Sequence, residues 1–128
     1  MIKDLDHLAL VTTDAERAAH FYIDLLGFKE SGRLENTPHS GTIIFISLGG
    51  TQIELFGTGD AAATPAAERA VGYKHLALLV DDIDGEYERL RAAGVEFGMV
   101  PTTVESGLRI AFFTDPDGNA LELMQRPK

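Results

Sequence analysis

The feature that most constrains this 128-residue chain is that it repeats itself. Residues 7–10 read His-Leu-Ala-Leu, and so do residues 75–78, a spacing of 68. At that spacing Asp14 meets Asp82, Phe45 meets Phe113, Gly50 meets Gly118, Glu54 meets Glu122 and Leu55 meets Leu123, with Ile53 and Leu121 as a conservative pair. Matches in one register across both halves point to duplication. A unit this long, present only twice, makes two modules and not a solenoid. The expected organisation is one domain over 1–128: module 1 over 1–56, a linker over 57–72 and module 2 over 73–128. One domain also suits the length, since domains cluster near ~100–150 residues.

Each half reads in the same order. Residues 5–12 are an apolar, β-compatible run that stops at Thr13-Asp14, a helix-start signal. Ala18, Phe21, Tyr22, Leu25 and Leu26 then recur at helical spacing over 14–26, and Gly27 ends the pattern. A strand is expected over 28–35, with a loop-like composition over 31–41. Residues 42–48 and 51–56 read as a hairpin about Gly49-Gly50. The second half gives a strand over 74–80, a helix over 83–93 stopped by Gly94, a strand over 96–103, and strands 108–114 and 119–125 around Asp115-Pro116-Asp117-Gly118. Each module is therefore βαβββ. The linker, rich in Gly, Ala and Thr, leaves room for a short helix over 65–70.

Composition removes several classes of function. With no cysteine, disulfide frameworks, thiolate metal sites and cysteine nucleophiles are excluded. Eleven basic residues against 20 acidic ones give a formal charge of −9, which disfavours a nucleic-acid partner. No apolar run approaches the ~20 residues that span a bilayer, so no membrane partner is expected. The N-terminus meets Asp4 and Asp6 before any apolar stretch, unlike a signal peptide, and the expected location is the cytoplasm.

Strand alternation locates the chemistry. In the first strand Leu8, Leu10 and Thr12 point one way, and His7, Ala9 and Val11 the other. Over 51–56, Ile53 and Leu55 oppose Gln52, Glu54 and Phe56; in the second module His75, Ala77, Glu122 and Met124 take the matching places. A carboxylate within an apolar strand is costly to desolvate unless paired or metal-bound. Two of them at equivalent positions, each with a His in its own module, suggest a shared solution. Two imidazoles and two carboxylates would suit a divalent ion such as Ni, Co, Zn, Fe or Mn. The bland alternative is a hydrogen-bonded structural His–Glu pair in each module. Ala9 and Ala77 leave room above an ion; Phe56 and Met124, beside the two Glu positions, either pack the core or line an apolar substrate pocket. His20 and His39 have no symmetric partner and read as solvated, and Arg33 and Arg109 as surface charges.

Asp6-His7-Leu8-Ala9-Leu10, the Phe21-Tyr22…Leu26-Gly27-Phe28 helix end, Gly72-Tyr73-Lys74-His75-Leu76-Ala77 and Phe113-Thr114-Asp115-Pro116-Asp117-Gly118-Asn119…Glu122-Leu123 resemble the vicinal oxygen chelate superfamily. That group includes glyoxalase I, methylmalonyl-CoA epimerase, fosfomycin-resistance thiol transferases, extradiol dioxygenases and bleomycin-binding proteins. The resemblance covers nearly the whole chain. It implies an α+β fold of paired βαβββ modules in a cup-shaped, partly open barrel around one divalent metal. It also implies a homodimer in which His7 and Glu54 of one chain join His75 and Glu122 of the other.

The ligand set His7, Glu54, His75, Glu122 looks like bacterial glyoxalase I; the dioxygenases and fosfomycin enzymes generally lack a Glu at the position of Glu54, and the epimerases usually carry Gln there. The resemblance thus implies an isomerase, lyase or epimerase that moves a proton next to a carbonyl through a metal-bound enediolate, with Glu122 the first choice of base and Glu54 the second. Two departures bear on glutathione. Val11 stands where glyoxalase I usually has an Arg for a glutathione carboxylate, and the Asn expected four residues after Glu54 is missing at Thr58. The substrate pocket would be lined by Ala9, Val11, Phe56, Ala77 and Met124. The alternatives within the superfamily are a small-molecule (antibiotic) binding or resistance protein and a non-haem dioxygenase.

Overall fold

The computed structural model describes residues 1–38, 41–59 and 71–128. The chain forms two compact units, Met1–Ala63 and Thr64–Lys128. In unit 1, strand β1 (Leu8–Thr12) leads to helix α1 (Ala15–His20), followed by β2 (Lys29–Thr37), β3 (Gly41–Leu48) and β4 (Thr51–Gly57). Unit 2 repeats the order with β5 (Leu76–Leu79), α2 (Ile83–Ala92), β6 (Phe97–Thr103), β7 (Arg109–Thr114) and β8 (Ala120–Gln125). Each unit holds one four-stranded mixed sheet, ordered β1-β4-β3-β2 and β5-β8-β7-β6. The first and last strands of each unit run parallel, and the other pairings are antiparallel.

Both helices begin as the sequence signals. Asp14 accepts a hydrogen bond from the Arg17 amide at 3.1 Å, and Asp82 accepts one from the Gly85 amide at 3.0 Å. Each side chain satisfies an amide that the first helical turn leaves without a backbone partner. The helices cover one face of each sheet. In unit 1 the buried side is Ile44 and Ile46 of β3 with Ile53 and Leu55 of β4, packed with Ala15, Ala18, Ala19, Tyr22 and Phe28. In unit 2 it is Ala111, Phe113, Leu121 and Leu123 with Ile83 and Leu90 of α2. Each fully buried Ile or Leu contributes roughly 1.5–3 kcal/mol of transfer free energy.

Three expectations are corrected. The helix over 14–26 is not one α-helix: α1 ends at His20 and a single π-helical turn occupies Phe21–Leu25. That wider turn carries Tyr22, which is buried between Phe21 and Phe28 with ring centroids at 5.4 and 5.6 Å. Strand β2 runs on to Thr37, into the stretch with loop-like composition, by means of register shifts on either side of Gly32–Leu34 and a left-handed Asn36 (φ 54°). The first strands are shorter than read, so His7 and His75 each stand one residue before their strand. The helix expected over 65–70 lies outside the described residues.

Candidate functional site

Parallel pairing sets Ala9 beside Glu54 and Ala77 beside Glu122. His7 and His75 lie two residues upstream of those alanines, on the same side, and each ring reaches the carboxylate of its own unit. His7 Nε2 contacts Glu54 Oε2 closely, and His75 Nε2 lies 3.3 Å from Glu122 Oε1. The two carboxylate side chains are only 14% and 9% exposed. Each sheet therefore carries one imidazole and one carboxylate on the face opposite its helix, as alternation along the strands requires.

The two pairs differ behind the imidazole. His7 Nδ1 lies 2.7 Å from Asp6 Oδ2. That hydrogen bond is the main reason the His7 pKa is raised above its ordinary value; partial burial opposes it, and the negative charges of Glu54 and Asp6 add to it. A carboxylate on Nδ1 also fixes the tautomer, leaving Nε2 to face Glu54. In unit 2 the residue before the histidine is Lys74, and the His75 ring instead meets the Phe112 ring edge-on, with centroids at 5.2 Å.

Imidazole nitrogen beside carboxylate oxygen is a donor set that fits a divalent ion of intermediate hardness. Among the described residues no group of three or more His, Asp or Glu side chains is set to hold a metal ion; each unit offers one pair. Each pair thus supplies two donors of the right kind.

Cross-strand register shows what surrounds the carboxylates. In unit 1 a row crosses the sheet as Ala9, Glu54, Phe45 and Gly32, and the next row is Val11, Phe56, Ile43 and Leu34. In unit 2 the corresponding rows are Ala77, Glu122, Phe112 and Met99, then Leu79, Met124, Ile110 and Thr102. The five residues read as pocket-lining (Ala9, Val11, Phe56, Ala77 and Met124) all occupy these rows. The sequence reading missed Phe45 and Phe112 as neighbours of the carboxylates. The hairpin register was the signal: it pairs Phe45 with Glu54 and Phe112 with Glu122. Phe113, matched to Phe45 at the constant spacing, faces the other way and is buried in the core.

The remaining polar candidates have structural partners. Arg33 pairs with Glu30 and Glu16, and Arg109 pairs with Asp84 at 2.7 Å, on the helix side of their sheets. Those contacts hold both guanidinium groups further protonated than usual. His20 pairs with Asp24 of its own helical segment, and His39 lies outside the described residues. Buried Asp115 ties its hairpin loop together, accepting from the Asp117 and Asn119 amides and from Asn119 Nδ2, each at 2.9 Å. An open hollow of about 520 Å³ lies among Tyr87, Arg91, Val95, Glu96 and Phe97 and includes neither His75 nor Glu122. Among the described residues no helix is long and apolar enough to cross a membrane.

Comparison with known proteins agrees with this plan. The chain is 33% identical over 127 residues to a protein of Vibrio cholerae serotype O1 named as a probable lactoylglutathione lyase, spanning 93% of this chain and 88% of that one. It is 36% identical over 98 residues to the ethylmalonyl-CoA/methylmalonyl-CoA epimerase of Cereibacter sphaeroides, spanning 73% of each. The crystal structure of a glyoxalase family protein from Enterococcus faecalis superposes with a TM-score of 0.83 at 28% identity, covering 95% of this chain and 97% of that one. A family model matches residues 4–123, nearly all of both units, and the chain accordingly belongs to the Glyoxalase/Bleomycin resistance protein/Dioxygenase superfamily.

Proposed function

We propose that this chain is a metal-dependent isomerase, lyase or epimerase that moves a proton on a carbon next to a carbonyl. The observation that carries the reading is the repeated pair: an imidazole Nε2 turned onto a carboxylate at matching positions of two similar sheets. His7, Glu54, His75 and Glu122 would together hold one divalent ion. Such an ion supplies Lewis-acid polarisation of the substrate's oxygens, which acidifies the adjoining C–H. The names of two relatives, a lactoylglutathione lyase and a methylmalonyl-CoA epimerase, support this class of reaction.

The chain's own residues then divide the work. Glu122 takes the proton from carbon and returns it either to the neighbouring carbon or to the opposite face of the same one. It is preferred over Glu54 because it is the more buried carboxylate. Ala9 and Ala77, next to the carboxylates on the sheet, leave space for the substrate.

Metal uptake tests the reading. The protein is equilibrated separately with Ni, Co, Zn, Mn and Fe(II), freed of excess ion, and analysed for metal beside His75→Ala. About one ion per chain, lost in the variant, is the expected result for a specific site. No specific uptake by the wild-type protein would mean that both pairs are structural, and a small-molecule binding role would then lead.

A further inference from the structure

Strand β8 leads from Glu122 to an arginine without a partner. Along β8, Leu121 and Leu123 are buried against the helix, while Glu122 and Met124 are on the open face. Gln125 returns to the helix side, where its side-chain oxygen accepts the Ile83 amide at 2.8 Å. Arg126 comes next, and Pro127 after it restricts Arg126 to extended backbone, so the alternation carries on for one more residue. Arg126 therefore shares the face of Glu122 and Met124. Its backbone is held on both sides. Gln125 is tied to the helix start, and Pro127 sits against Gly107, where an added Cβ would lie 3.2 Å from Pro127 Cγ.

The charge itself is free. Arg89, Arg91 and Arg109 of the same unit each hold a carboxylate. Arg126 is exposed and makes no ion pair or hydrogen bond among the described residues, in a chain with 20 acidic residues. An isolated surface arginine is ordinary. One on anchored backbone, just past the strand that carries the carboxylate and on the same face, is placed to meet what lies along that face.

We propose, on the metal-site reading above, that Arg126 anchors an anionic group of the substrate, a carboxylate or a phosphate, at the end distant from the oxygens that the metal takes. Four residues of strand put it about 13 Å from Glu122. Between them lies Met124, flanked across the sheet by Leu79 and Ile110, so the piece that joins the two ends is apolar. A guanidinium presents parallel N–H donors that match either anion, and pairing there offsets the cost of taking the anion out of water. At the constant spacing of 68, unit 1 has the uncharged Thr58. The anchor thus belongs to one module and sets which way along β8 the substrate runs.

Hydroxamates test this, since they present two adjacent oxygens to a metal and accept any tail. The probes are octanohydroxamate, suberic monohydroxamate (the same chain length ending in a carboxylate), its ω-phosphonate analogue and the short succinic monohydroxamate. Each is titrated into protein whose bound metal has been measured. Arg126→Gln should weaken the suberic and phosphonate probes about fivefold at low salt, and less as salt rises. Whichever of the two loses more names the anion. Octanohydroxamate should be unaffected, as should the succinic probe, whose carboxylate ends too close to Glu122. Arg126→Lys should restore part of the loss. Lys74→Gln removes an equal charge directly before His75, at the opposite end of the sheet from Arg126, and should not discriminate among the probes. Suberic and phosphonate binding that survives Arg126→Gln unchanged, or that falls equally in Lys74→Gln, would overturn the proposal. Failure of the metal-site reading has a different signature: octanohydroxamate would not bind the wild-type protein, or the protein would retain no metal, and the proposal would fall with it.

Discussion

Two sheets with one topology reach the same arrangement by different local means. Where the last strand meets the helix start, unit 1 uses closeness: a Cβ on Gly57 would lie 2.8 Å from Ala15 Cβ and 2.9 Å from its nitrogen. Unit 2 has Gln125 at the equivalent place, and its side-chain oxygen accepts the Ile83 amide at 2.8 Å. One junction is closed by the absence of a side chain and the other by a long polar one. The His–Glu pairs differ likewise, with Asp6 behind His7 and Phe112 beside His75. After duplication, what stayed the same is the direction of each imidazole and carboxylate; what supports them was free to diverge.

The largest expected effect separates the two carboxylates. Glu122→Gln should lower turnover by about 10²–10⁴-fold, the usual contribution of a positioned general base, with metal content largely retained. Glu54→Gln should affect metal content at least as much as turnover. Parallel measurement of kcat and bound metal in both variants decides the matter. Wild-type turnover in Glu122→Gln would end its assignment as the base, and a greater loss in Glu54→Gln would reverse the roles.

How much of this was legible beforehand follows from which interactions are local. The N-caps Asp14 and Asp82 were readable, because a cap is set by residues within one turn. So were the His–Glu faces, because period-two alternation needs no knowledge of tertiary packing. The Phe45–Phe113 match misled. Phe45 corresponds in the sheet to Phe112, and Gly27 after the first helical segment corresponds to Gly94, so the spacing there is 67 and not 68. Two changes explain this. The π-helical turn adds a residue in unit 1, and the loop between Thr114 and Ala120 is longer than the Gly49-Gly50 turn. A constant spacing cannot reveal an insertion and a compensating one; backbone pairing can.

Stability measurements sharpen the contrast at the strand–helix junctions. Gly57→Ala should cost about 1–3 kcal/mol, because the new methyl group meets backbone and a buried Cβ that have little room to move. Gln125→Ala should cost about 1 kcal/mol, the loss of one hydrogen bond to the first amide of α2. Urea denaturation of both variants reads the difference. Equal costs would mean that the two junctions are closed by the same kind of contact after all. Asp14→Ala and Asp82→Ala provide the control: as matched caps, each should cost about 1 kcal/mol.

The smallest effect concerns Asp6, which has no counterpart in unit 2. In metal-free protein the His7 pKa is raised, chiefly by the Asp6 hydrogen bond, with the nearby Glu54 and Asp6 charges adding to it against partial burial. A raised folded-state pKa means that the folded chain holds this proton more tightly than the unfolded chain does. The resulting stabilisation is fully present below the unfolded value near 6.5 and is lost as pH rises through the folded one. Asp6→Asn should therefore move the His7 midpoint, followed by NMR of the ring protons, back toward 6.5 and flatten that part of the stability–pH curve. Lys74→Ala should leave His7 untouched. An unchanged His7 midpoint in Asp6→Asn would mean that Glu54 alone holds the imidazole proton, and that Asp6 does not set the two His–Glu pairs apart.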